Sequence, residues 1–160
     1  MRHITPIVFA ALAMTGVAVA QEIAPADVIF DEYGAVSVAL VSQAGNPEEG
    51  KTIMVTRGKG NCIACHQVTA LDDFAFHGEV GPSLDGVADR WSEAELRGIV
   101  SNAKMTFEGT IMPAFFKNSG YIRPGIGYTG KAAAPEDLKP ILSGQEVENV
   151  IAYLLTLKED

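Results

Sequence analysis

Gly60-Asn61-Cys62-Ile63-Ala64-Cys65-His66-Gln67 holds the only two cysteines of a 160-residue chain, three positions apart and followed directly by a histidine. Cys-x-x-Cys-His is the attachment signature of a c-type haem. The chemistry requires that spacing. Each thiol adds to one vinyl group, the vinyls lie on neighbouring pyrroles, and two cysteines three apart on a tight turn reach both. The next residue projects beneath the ring, which offers the imidazole of His66 to the iron as proximal ligand. A thioredoxin-type thiol pair would follow a strand and lead into a longer helix within a βαβ pattern. Here a helix start, Gly58 and Gly60 precede the pair, and no alternating strands follow. A zinc site would need further ligands, and beyond the motif only His77 is left to supply one.

Outward from the motif, the composition narrows the possibilities. The chain is 48% hydrophobic and 20% charged, enough apolar content for a packed core and too little charge for global disorder. Its net charge of -8 offers no basic field to phosphates, which argues against nucleic acid as the main partner. Met1-Arg2-His3 is a short basic start, Ile4 to Val19 is apolar and uncharged, and Ala18-Val19-Ala20 offers small residues before Gln21. Residues 1–20 therefore read as a cleavable secretory signal peptide, too short and too interrupted for a membrane span, and the expected location is the periplasm. Cleavage removes Arg2 and no acid, leaving the mature chain at -9.

The expected division is 1–20 signal peptide, 21–45 N-terminal extension and 46–160 cytochrome domain. The extension lacks helical periodicity, and Val28-Ile29-Phe30 and Val36 to Val41 suggest short extended pieces. Asn46-Pro47-Glu48-Glu49 starts a helix, with Asn46 as cap, Pro47 at the first position and Glu49 expected to complete a capping box. That helix should run to about Arg57 with Gly50, Ile53 and Met54 inward. Ser92/Glu95 and Ser143/Glu146 are two further capping boxes. The first opens a helix to about Asn102 with Leu96, Ile99 and Val100 as its stripe. The second precedes Val147, Val150, Ile151, Leu154 and Leu155, an i, i+3, i+4, i+7, i+8 pattern. Between Asn102 and Ser143 glycine and proline are too dense for a long element. The fold class is all-α: three main helices and long loops wrapped round one covalent haem.

The iron's sixth position has four mature-chain candidates. Met54 falls on the inward face of the first helix and reads as core. His77 lies only eleven residues after His66, too near to reach the opposite face, and reads as an exposed loop residue. Met105 sits just past a helix end. Met112, in Thr110-Ile111-Met112-Pro113-Ala114-Phe115-Phe116, precedes a proline that biases it to extended backbone, and it lies forty-six residues from His66. Met112 is the expected sixth ligand, with Ile111, Phe115 and Phe116 excluding water. A His/Met pair raises the reduction potential and leaves no site for oxygen, which favours electron transfer over catalysis at iron.

These stretches, with Gly78-Glu79-Val80-Gly81-Pro82-Ser83-Leu84-Asp85-Gly86-Val87, Glu95-Leu96-Arg97 and Pro140-Ile141-Leu142-Ser143-Gly144-Gln145-Glu146-Val147-Glu148, resemble the class I cytochromes c. In particular they resemble the SoxX family, the monohaem subunits of SoxAX complexes of bacterial thiosulfate oxidation. Tyr121 to Ala134 and Leu71 to His77 lie outside the matching stretches. The resemblance implies one haem c held by Cys62 and Cys65 and ligated by His66 and Met112. It also implies that the Pro82 carbonyl accepts the Nδ1 proton of His66, that Leu84 packs on the haem face, and that Gly50 lets the first helix cross the last against Tyr153. The implied partners are a SoxA-like haem subunit in a heterodimer, the SoxYZ carrier protein and a small electron-accepting cytochrome c. The chain itself would be catalytically inactive alone, the heterodimer being an L-cysteine S-thiosulfotransferase. A free-standing periplasmic electron shuttle is the alternative.

Overall fold

A computed structural model describes residues 22–122, 124–125 and 129–159. The signal-peptide reading falls outside these residues. Four α-helices are present among these residues: α1 Pro47–Val55, α2 Val87–Arg90, α3 Glu93–Asn102 and α4 Gly144–Leu154, linked by loops and single 3₁₀ turns. Among the described residues there is no strand, only isolated bridges pairing Glu22 with Val41 and Gly125 with Ala132. No helix among them is long and apolar enough to cross a membrane.

Helices α3 and α4 start as their sequences dictate. Ser92 accepts from the Glu95 N–H while the Glu95 carboxylate accepts from the Ser92 N–H, and Ser143 and Glu146 repeat the arrangement. Helix α1 departs from expectation. Asn46 accepts from the N–H groups of Glu48 and Glu49, but Glu49 does not close a box. The Asn46 N–H instead donates to Asn149 Oδ1 at 2.9 Å, and Asn149 Nδ2 donates to Glu49 Oε2 at 2.6 Å. A side chain from α4 has been inserted between the two halves of the local motif. Helix α1 also stops at Val55, two residues early. Thr56 turns extended, and its hydroxyl donates to the Thr52 carbonyl at 2.7 Å, a side-chain bond that competes with helix continuation.

Helices α1 and α4 cross in the most extensive helix contact of the structure. Gly50 permits it, since a Cβ there would overlap the Asn149 carbonyl and lie 3.0 Å from Tyr153 Cβ. The core at this crossing contains Ile53, Met54, Val147, Val150, Ile151 and Leu154, all buried. Each large apolar side chain there contributes about 1.5–3 kcal/mol of transfer free energy. Leu155 is only half-buried.

On α3 the buried set is wider than the apolar stripe. Leu96 and Val100 are buried and Ile99 half-buried, while Arg97 and Gly98 are also buried. The cause is residues 22–45, which lie across that face. Val36, Leu40 and Val41 of this segment are buried, and the Val36 N–H donates to the Ala94 carbonyl at 2.9 Å. Arg97 binds the segment from inside. Its Nη1 donates to the Val36 carbonyl at 2.9 Å. Its Nε and Nη2 grip Glu148 of α4 at 2.8 and 3.1 Å, and Nη2 also reaches Glu93 at 2.5 Å. Glu148 Oε1 in turn accepts from the Leu40 N–H at 2.8 Å. Burial opposes the charge on Arg97, yet the Glu148 and Glu93 carboxylates outweigh it and hold the guanidinium even more firmly protonated than usual.

Candidate haem-binding site

Asn61, in left-handed conformation at φ 46°, starts a single 3₁₀ turn over Cys62–Ala64. The N–H groups of Cys65 and His66 both donate to the Cys62 carbonyl, at 3.1 and 3.0 Å. This winds Cys62, Cys65 and His66 into one tight knuckle. Cys62 is half-buried, Cys65 exposed, and the two are not joined. Burial chiefly, together with the neighbouring Cys65, pushes the Cys62 thiol up to about 12, against the pull of a backbone hydrogen bond.

The segment after the knuckle doubles back along it. The N–H groups of Gly78, Gly81 and Leu84 donate to the carbonyls of Ile63, Cys65 and Gln67, at 2.8, 2.8 and 2.9 Å. Gly81 is pressed against the His66 imidazole so closely that a Cβ would enter the ring. Pro82 has no N–H, and its carbonyl lies 2.7 Å from His66 Nδ1. A carbonyl only accepts, so Nδ1 carries the proton and Nε2 presents its lone pair, the tautomer a metal-ligating histidine needs. Leu84 is half-buried against the core.

Asp85 secures this returning segment. Its carboxylate accepts from the Thr69 N–H and hydroxyl, both at 2.8 Å, and from the Ser83 hydroxyl at 3.0 Å, while Arg90 donates to the Asp85 and Ser83 carbonyls. Burial would raise its pKa, but these bonds and the Arg90 charge outweigh it and hold the carboxyl below the ordinary value of 3.8. His77 is not the free surface residue expected of it. It is half-buried, and its ring bridges the Val68 N–H and the Leu71 carbonyl, each at 3.1 Å. Both nitrogens are occupied, which also removes His77 as an iron ligand.

Met112 comes from a different direction. Helix α3 ends in a 3₁₀ turn over Ala103–Met105, and the Lys104 ammonium donates to the Met112 carbonyl. Phe115 and Phe116 are buried, their N–H groups bonded to Val100 and Ser101 carbonyls at 3.4 and 3.0 Å. Met112 is half-buried and packed against the core, whereas Met54 is fully buried and Met105 half exposed. Ile111 does not join the seal, because 79% of it is exposed. Two thiols, an imidazole with its Nε2 free, and a core-facing thioether form a donor set that fits haem c. Among the described residues no cluster of three or more His, Cys, Asp or Glu side chains offers a metal site of another kind.

Arg97, Glu148, Asn149 and Asp85 carry much of this architecture and were not singled out by sequence reasoning. A Ser83-x-Asp85 pair that can bond locally was the one visible signal.

A cytochrome c family profile matches residues 47–158. No curated protein matches. Among solved structures, the crystal structure of SoxXA from P. pantotrophus contains a chain 58% identical to this one. The match covers 87% of this chain and 100% of that one, with a TM-score of 0.82.

Proposed function

Since the chain belongs to the cytochrome c family, and within it to the SoxX family, we propose that it is the electron-transfer subunit of a periplasmic SoxAX-type complex. The match to a SoxXA chain over that chain's whole length is the observation that carries this reading. Covalent haem c supplies a one-electron ferric/ferrous couple.

In this reading Cys62 and Cys65 would hold the haem, and His66 and Met112 would supply its iron ligands. The Pro82 carbonyl fixes the His66 ring, and Leu84 packs on the haem face. The partner is a SoxA-like haem subunit. At that heterodimer thiosulfate is conjugated to a cysteine of the SoxYZ carrier. RSH and S₂O₃²⁻ give RS–S–SO₃⁻, one proton and two electrons, so the disulfide-like S–S bond forms as sulfur is oxidised. The chain takes up the electrons one at a time and passes them to a small cytochrome c. Its own contribution is conduction. Both its cysteines are committed, so it has no spare thiol for sulfur chemistry, and the mature chain's net charge of -9 repels a dianion.

Affinity capture from thiosulfate-grown cells tests this. Recovery of a second haem subunit, and haem reduction on adding thiosulfate with SoxYZ, is the expected result. A bare monomer that thiosulfate and SoxYZ leave oxidised would refute it in favour of a free-standing shuttle. Met112→Ala is expected to abolish the red absorption band of methionine-ligated ferric haem. Persistence of that band would reassign the sixth ligand.

A further inference from the structure

Between Gly60 and Arg90 the chain carries five carboxylates, Asp72, Asp73, Glu79, Asp85 and Asp89, and no lysine or arginine. This run includes the haem-attachment knuckle, and the two cations that bound it are engaged elsewhere, Lys59 with Glu146 and Arg90 with the Asp85 and Ser83 carbonyls. At the tip of the loop stands Phe76, 91% exposed and left-handed at φ 70°. A bulky aromatic takes up that backbone only where its surroundings impose it, and such residues cluster at functional sites. The flanks impose it here: the His77 ring is clamped to Val68 and Leu71, and the Gly78 N–H is bonded to the Ile63 carbonyl. Phe76 is two residues from Gly78, so its Cα lies within roughly 7 Å of that anchor on the knuckle. Val80 on the same segment is 63% exposed, and Asp72, Asp73 and Glu79 are exposed around the tip.

We infer that the Leu71–Val80 loop is the docking surface for a positively charged electron acceptor, a redox protein whose lysine-rimmed face takes the Phe76 ring into an apolar recess. The charge pattern selects this occupant. Permanent interfaces are depleted of charge at their centre, whereas one aromatic anchor bordered by three carboxylates suits a small, salt-sensitive encounter. The position suits it as well, because a partner seated on Phe76 stands beside the haem-bearing turn. The transfer would be of one electron from the reduced chain to the oxidised acceptor, with no bond made or broken.

This inference rests on the electron-transfer reading above, and its test separates the two. The holo chain in complex with its haem-bearing partner is titrated with a lysine-rich cytochrome c of the mitochondrial type, at low and at physiological salt. In parallel its oxidation by a small neutral oxidant is followed. Phe76→Asn keeps a residue tolerant of left-handed backbone and removes the ring. It is expected to speed dissociation of the basic cytochrome about tenfold without changing the salt dependence. Asp72→Asn/Asp73→Asn/Glu79→Gln is expected to slow association about tenfold at low salt and to flatten the salt dependence. Oxidation by the small molecule should not change in either variant. Unaltered binding in both variants overturns the inference while leaving the electron-transfer reading intact. Release of the partner subunit by Phe76→Asn also overturns it, by assigning the ring to the permanent interface. A wild-type complex that transfers electrons to neither acceptor defeats the electron-transfer reading itself.

Discussion

Residues 22–45 and residues 67–86 are both irregular, and they are held in opposite ways. The first segment lies over α3 and is tied from inside by a buried ion pair, Arg97 with Glu148, which bonds the Val36 carbonyl and the Leu40 N–H. The second runs along the haem knuckle and is held by many separate, partly exposed bonds: backbone N–H donors, a doubly bonded His77, and the Asp85 carboxylate with its hydroxyl partners and Arg90. A buried pair is all-or-nothing, because each charge is tolerated only while the other is present. A set of separate, partly exposed bonds loosens one bond at a time. The first segment is thus fixed to the frame, and the second can be adjusted around a cofactor.

The largest effect should come from breaking the pair. Arg97→Met strands Glu148 and should lower the stability of the holo protein by about 3–5 kcal/mol in denaturant unfolding. Arg97→Met/Glu148→Leu should recover most of that loss. Equal loss in both variants would show that packing, not the uncompensated charge, sets the cost. Next comes the knuckle. Gly81→Ala drives a methyl into the His66 ring and should cost about 1–3 kcal/mol. It should also shift the haem spectrum, which the Arg97 variants should leave unchanged. The smallest effect is at Asp85. Its pKa is depressed in the folded state, so its stabilisation is present above the unfolded value of 3.8 and is lost as pH falls through the lower folded value. In acid titrations of thermal stability, Asp85→Asn should flatten the decline below pH 3.8 and change little between the two proteins' relative slopes at neutral pH. An unchanged acid limb would remove Asp85 from the account of how the loop is held.

What could be read in advance depended on the range of the interactions. The Ser92/Glu95 and Ser143/Glu146 boxes act over three residues, and both appear in the structure. The Cys-x-x-Cys-His spacing is likewise local, and it led to the haem and the family. The Asn46 box failed because its missing member is supplied by Asn149, 103 positions away. Arg97 and Glu148 are 51 positions apart, and a charged residue in an amphipathic pattern ordinarily marks the solvent side. His77 was taken for surface because nothing in Phe74-Ala75-Phe76-His77 announces that both ring nitrogens bond backbone six and nine residues upstream.

The Asn149 insertion bears on the order in which the chain can assemble. Helix α1 keeps its Asn46 cap, but its capping box is open, and at nine residues it is too short to persist alone in water. Its first turn is completed only when α4 arrives from the far end, which requires closing a loop of about a hundred residues. The first α-helix among the described residues is therefore among the last to become secure. The Cys62–His66 knuckle, five residues with their own hydrogen bonds, can form before it.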